Sequence, residues 1–170
     1  MSSISEARAI SYLCDALDDT TLIECAQKER IFSRSVFFCQ QLCEKSAKAC
    51  LASMNILITD EHKFVEYFED FVMPESEELN DEFEKLLRSL GKLETSYISS
   101  RYSVDKYGKI MNIKYDEYRV ASLCNDSYKF LDLSFKFIEG KIEKQLPRGR
   151  IDLRDYLNRY YHDNVEDLSL

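Results

Sequence analysis

Apolar residues recur along most of the chain at steps of three and four, the repeat of a helix with one face turned inward. Over residues 5–27 the stripe is Ala9, Leu13, Ala16, Leu17 and Ile23. Asp18, Asp19, Thr20 and Thr21 interrupt it, and short polar side chains that compete for backbone hydrogen bonds predict a break into two pieces there. Over 31–55 the stripe is Val36, Cys39, Cys43, Ala47, Cys50 and Met54, which predicts one long central helix. Thr59, Asp60 and Glu61 predict a helix start, followed by the aromatic stripe Phe64, Tyr67, Phe68 and Phe71. Pro74, which has no N–H to donate, ends it. The acidic stretch Glu75 to Asn80 reads as a loop. Phe83, Leu86, Leu87, Leu90, Leu93 and Tyr97 then predict a fourth helix to Ser99, with Gly91 as its weak point.

Periodicity lapses over 100–116, where Tyr102, Val104, Tyr107, Ile110, Ile113 and Tyr115 fall irregularly around Gly108 and Asn112. This predicts an ordered, tyrosine-rich loop with room for a short hairpin. A fifth helix over 117–145 carries Val120, Leu123, Cys124, Ser127, Phe130, Leu131, Phe135 and Ile138, and Pro147 and Gly149 stop it. Leu153, Tyr156, Leu157, Tyr160 and Tyr161 keep helical spacing in the tail, which predicts a docked short helix before an acidic end. The fold class expected is all-α: an up-and-down bundle of four to five helices over 1–146, then a C-terminal extension over 147–170.

Composition sharpens this picture. Four glycines, two prolines, 45% apolar and 32% charged residues favour long amphipathic helices. A chain of 170 residues is long enough for one domain with its own core. The formal charge of -8 argues against nonspecific nucleic-acid binding, although Arg148 and Arg150 offer a local basic surface. No apolar run approaches the length of a membrane span, and the acids among the first thirty residues do not fit a secretion signal. A cytoplasmic protein with no membrane partner is expected. The six cysteines then read as reduced thiols, and without a CxxC pair no metal site is expected. Cys39, Cys43 and Cys50 share one helical face and read as small core residues, with a redox role as the alternative.

On another face of the central helix, Arg34, Phe38, Gln41, Lys45 and Lys48 follow one another at helical spacing. Such a strip is either solvated or a face for a second subunit or a ligand. No glycine-rich phosphate loop, HExxH or serine elbow is present, and Asp18 and Asp19 stand in a polar run without a defined pocket.

The segment Ser33-Arg34-Ser35-Val36-Phe37-Phe38-Cys39-Gln40-Gln41-Leu42-Cys43-Glu44-Lys45-Ser46-Ala47-Lys48-Ala49 resembles a pattern of the HEPN (higher eukaryote and prokaryote nucleotide-binding) family: an aromatic, Gln-Gln, Glu-Lys, then Lys. His62 is similar to the family's histidine after the long helix, and Ser100-Arg101-Tyr102-Ser103 resembles its Arg-Tyr-Pro segment. The three landmarks stand in the family's order over residues 5–145. The resemblance implies a helical bundle that pairs as a homodimer, often beside a minimal nucleotidyltransferase in toxin–antitoxin pairs or nucleotide-binding systems.

Many HEPN toxins are metal-independent ribonucleases whose site is an Arg followed after four to six residues by His. Imidazole moves protons near neutral pH and guanidinium holds phosphorane charge. Here Arg154 and Arg159 stand eight and three positions before His162, and no Arg precedes His62 at the required distance. The function expected is therefore a nonenzymatic module binding a nucleotide, RNA or partner protein through Arg34, Gln41, Lys45, Lys48, His62, Arg101 and Tyr102, with no cofactor. The alternative is a divergent metal-independent ribonuclease toxin in which Arg101 and His62 meet within the dimer. A third reading is a structural bundle with Tyr107, Tyr115 and Tyr118 at an oligomer interface.

Overall fold

Helix α1, Ser3–Lys28, runs unbroken through the polar residues expected to split it. The Thr20 hydroxyl donates to the Leu17 carbonyl at 2.7 Å, and Asp19 meets Lys45 of the next helix at 2.6 Å. These residues therefore satisfy their hydrogen bonds without leaving the helix, and tertiary pairing overrides local preference. The computed structural model describes residues 3–58, 64–101, 107–109 and 115–162, and no strand occurs among them.

Helix α2 spans Phe32–Ser53. The turn before it closes with Arg30 N–H donating to Gln27 and Ile31 N–H to Ala26, the paired bonds of a Schellman end. Glycine normally takes its left-handed position, yet Arg30 does so at φ +56°. A side chain there costs about 1 kcal/mol. Arg30 also lies 2.9 Å from Glu117 and over the Phe32 ring, so the strained residue ties three elements together. Asn55, at φ +62°, ends α2 with the same bonding pattern.

The aromatic stripe after α2 begins regularly as α3, Phe64–Tyr67, then widens into a π-helical turn over Phe68–Val72. Met73 N–H donates to the Phe68 carbonyl five residues back, and Pro74 cannot continue an α-helical ladder. Two 3-10 turns, Met73–Glu75 and Glu77–Leu79, occupy most of the expected acidic loop. The expected start at Thr59 to Glu61 lies outside the described residues.

Helix α4, Asn80–Arg101, passes through Gly91 without a break and ends two residues later than its periodicity indicated. Most of the expected tyrosine-rich loop, with its hairpin, lies outside the described residues. Helix α5, Glu117–Ile142, starts where the Asp116 carboxylate accepts from Arg119 N–H at 3.0 Å. It stops at Glu143, at φ +55°, three residues short of the expected end. Glu139 enforces that stop by accepting from Leu146 N–H at 2.7 Å and Arg148 at 2.9 Å, which folds the chain back before Pro147. Helix α6 covers Arg150–Tyr160.

Cross-helix pairs fix the directions. Cys39 meets Cys124 and Cys50 meets Ser134, so α2 and α5 run parallel. Ser89 bonds Asp126 while Phe83 packs on Phe130, so α4 opposes α5. With the tight α1–α2 turn, the bundle α1, α2, α4, α5 is up-and-down. Phe64, Phe68, Phe83 and Phe130 pack together, with the ring centroids of touching pairs 4.9–6.2 Å apart. The C-terminal helix α6 buries Leu153 and Leu157 in the same core, lying antiparallel along α1. No helix among the described residues is long and apolar enough to cross a membrane.

Candidate binding face on the central helix

Helix α2 is enclosed by α1, α4 and α5, and most of its residues are buried, polar ones included: Ser35, Gln40, Glu44, Ser46 and Ser53. Its cysteines behave as the sequence indicated. Cys39, Cys43 and Cys50 are wholly buried, and burial pushes the Cys43 and Cys50 thiols up to about 12. Neutral thiols and small serines let α2 and α5 approach closely.

One side of α2 remains partly accessible. Arg34 is exposed and makes no ion pair with a described residue. Phe37 and Phe38 follow as an edge-to-face pair at 5.3 Å, then Gln41, Lys45 and Lys48, all half-buried. From Arg34 to Lys48 this stripe extends about 21 Å at the rise of an α-helix. The structure thus brings Arg34, Gln41, Lys45 and Lys48 to one side, but it is not the solvated strip that is usual for such spacing.

The reason lies beneath it. Gln41 Nε2 donates to Gln40 Oε1 at 2.6 Å, Gln40 Nε2 to Glu44 Oε2 at 3.0 Å, and Lys48 Nζ to Glu44 Oε1 at 2.8 Å. Lys45 reaches instead to Asp19 on α1. The carboxylates are the deeper partners: Glu44 and Asp19 are 7% and 5% exposed, against 12% for Lys48 and 28% for Lys45. Burial raises the Asp19 pKa above its ordinary value of 3.8, outweighing the attraction of Lys45.

Asp19, Gln40 and Glu44 are the members of this ladder that spacing alone does not single out. A usable signal was present: Gln40, Glu44 and Lys48 repeat at four-residue steps directly beside the buried Cys39, Cys43 and Ala47. Asp19 carries no comparable mark, because its partner is 26 residues away. His62 and Tyr102 lie outside the described residues, as does the Arg101 side chain, though its backbone closes α4.

Elsewhere, a groove of about 580 Å³ lies between α4 and α5, lined by Lys85, Tyr128, Lys129 and Lys136 together with Glu82 and Asp132. None of the candidate binding residues named from the sequence lines it. Among the described residues no cluster of three or more His, Cys, Asp or Glu is placed to hold a metal ion.

No curated protein and no solved structure compared with the chain matches it. The family comparison does match: residues 11–138 fit the HEPN domain, a span that includes α1 from Ser11, all of α2 with its polar ladder, and α5 as far as Ile138. This all-helical chain belongs to the HEPN domain family.

Proposed function

We propose that this HEPN chain is a nonenzymatic binding module, a homodimer that engages a nucleotide or a partner protein through the α2 stripe of Arg34, Gln41, Lys45 and Lys48. The observation that carries the reading is the polar ladder under that stripe. Buried ion pairs contribute little net stability relative to apolar replacements, so two deep carboxylates, Asp19 of α1 and Glu44 of α2, at an interface lined with Cys, Ala and Leu need another reason to be there. Holding Lys45, Lys48 and Gln41 at fixed positions supplies one.

The charge balance narrows the ligand class. Lys45 and Lys48 each face a carboxylate, so the stripe has little surplus positive charge to hold a long polyanion. It suits recognition by fixed amides and paired ammoniums, in a single nucleotide or in the surface of a protein such as a minimal nucleotidyltransferase of a toxin–antitoxin pair. His62, Arg101 and Tyr102 complete the proposed face, on the strength of their resemblance to the family pattern. The absence of an Arg-x4-6-His spacing supports a role without catalysis.

The test is calorimetric titration of the full chain with adenine and guanine nucleotides, together with sedimentation of the chain alone. Gln41→Ala and Arg34→Ala are expected to weaken binding about tenfold each without changing the helical signal. Saturable binding indifferent to both variants, or a monomer that binds no nucleotide and no nucleotidyltransferase, would refute the proposal. Metal-independent cleavage of labelled RNA that is lost in the Arg101→Ala, His62→Ala double variant would replace it with the ribonuclease reading.

A further inference from the structure

Cys14, Cys39, Cys43, Cys50 and Cys124 are buried, while Cys25 is exposed. Two of the buried thiols meet across the α2–α5 interface, where Cys39 S–H donates to Cys124 Sγ at 3.3 Å. No other cysteine pair is joined by a hydrogen bond among the described residues. A bonded pair lies about 2.05 Å apart, so a side-chain shift of little more than 1 Å brings these sulfurs within bonding range. The parallel packing of α2 and α5 already places the two residues side by side.

We infer that Cys39 and Cys124 form an oxidative modification site, at which a hydroperoxide converts the two thiols into a disulfide that cross-links α2 to α5. Cys124 is the first nucleophile. The hydrogen bond from Cys39 favours its thiolate and lowers its pKa, while the same bond, with burial, raises that of Cys39. The Cys124 thiolate attacks the outer oxygen of hydrogen peroxide, breaking the O–O bond and leaving a sulfenic acid and hydroxide. Cys39 sulfur then attacks the sulfenic sulfur, and the sulfenic hydroxyl departs as water with the Cys39 proton. Two thiols lose two electrons, and one peroxide is reduced to two molecules of water. The cross-link closes a loop of 85 residues and fixes α2 immediately before Gln40.

The experiment is treatment of the reduced full chain with hydrogen peroxide, followed by non-reducing proteolysis and mass spectrometry. The expected result is a linked peptide pair containing Cys39 and Cys124, two hydrogens lighter than its reduced parts. The product should be monomeric by denaturing gel, with a melting temperature raised on the order of 10 °C. A Cys25→Ser chain should give the same link, and a Cys124→Ser chain should give neither link nor rise. Mapping of the unsubstituted chain decides the question even if the Cys124 variant does not fold. Recovery of both residues as alkylatable thiols after treatment, or of Cys124 as a sulfinic acid with Cys39 unlinked, overturns the inference.

Discussion

Asp18 and Asp19 are neighbours in sequence and identical in chemistry, yet they serve different parts of the molecule. Asp18 turns towards α6, where Arg150 and Arg154 lie 3.1 and 3.0 Å from its oxygens, and it remains 39% exposed. Asp19, about 100° further round α1, is enclosed against α2 and holds Lys45. The first belongs to a clasp that fastens the C-terminal helix, along with Glu6, Lys144 and Tyr161. The second belongs to the ladder inside the bundle. Water screens the Asp18 pairs of the clasp, so each contributes little and neither is indispensable. Within the ladder, loss of one partner leaves a charge where water cannot reach it.

The largest difference should come from Lys48→Met. It takes the Lys48 ammonium away from the buried Glu44 carboxylate, and should lower unfolding free energy by about 3 kcal/mol in urea titration. The double variant Glu44→Gln, Lys48→Met should recover most of that loss. Full additivity of the two changes would erase the distinction between ladder and clasp. Lys45→Met should cost about 2 kcal/mol, less because Lys45 is the more exposed lysine and Asp19 can take up a proton.

In the clasp, Glu6→Gln should cost about 1 kcal/mol and Asp18→Asn about 0.5 kcal/mol, both shrinking in high salt. A loss for Asp18→Asn equal to that for Lys45→Met would show that exposure does not govern these pairs.

Acid sharpens the contrast, because Glu6 in the clasp and Asp19 in the ladder shift in opposite directions. Burial tends to raise the Glu6 pKa, but hydrogen bonds from Lys144 and Tyr161 outweigh it and hold the group below its ordinary 4.5. Its stabilising effect is therefore complete above pH 4.5 and is lost as pH falls through the lowered folded value. Asp19 is raised, so its ionisation disfavours the fold at neutral pH, and that penalty is relieved as pH falls from the raised folded value towards 3.8. Urea midpoints measured against pH should show the advantage of the parent over Glu6→Gln shrinking in acid. The parent's standing relative to Asp19→Asn should improve over the same fall.

Much of the fold was legible because helical periodicity is a local signal. The stripe Val36, Cys39, Cys43, Ala47 and Cys50 located α2 and its inward side, and each of these residues is buried. Elements whose form depends on distant partners were harder to read. The polar run at Asp18 to Thr21 looks like a break until Lys45 is placed opposite it, and α5 stops short of Pro147 because Glu139 captures the following backbone. The π-helical turn at Phe68 leaves an aromatic stripe that spacing cannot distinguish from a regular helix. For the candidate face, Gln41, Lys45 and Lys48 were visible as a strip. Their anchoring by Asp19, Gln40 and Glu44 was not, since a carboxylate's depth is a property of its neighbours.

The clasp also has a topological consequence. Tyr161 donates to Glu6 at 2.6 Å, so the path from α1 through α6 returns almost to its origin and the described chain is nearly a closed ring. A linker of a few residues between these neighbouring segments would complete the circle. New ends could then be opened at the exposed residues 107–109 with every helix-to-helix pairing retained. The order in which the helices are joined is thus separable from the way they pack.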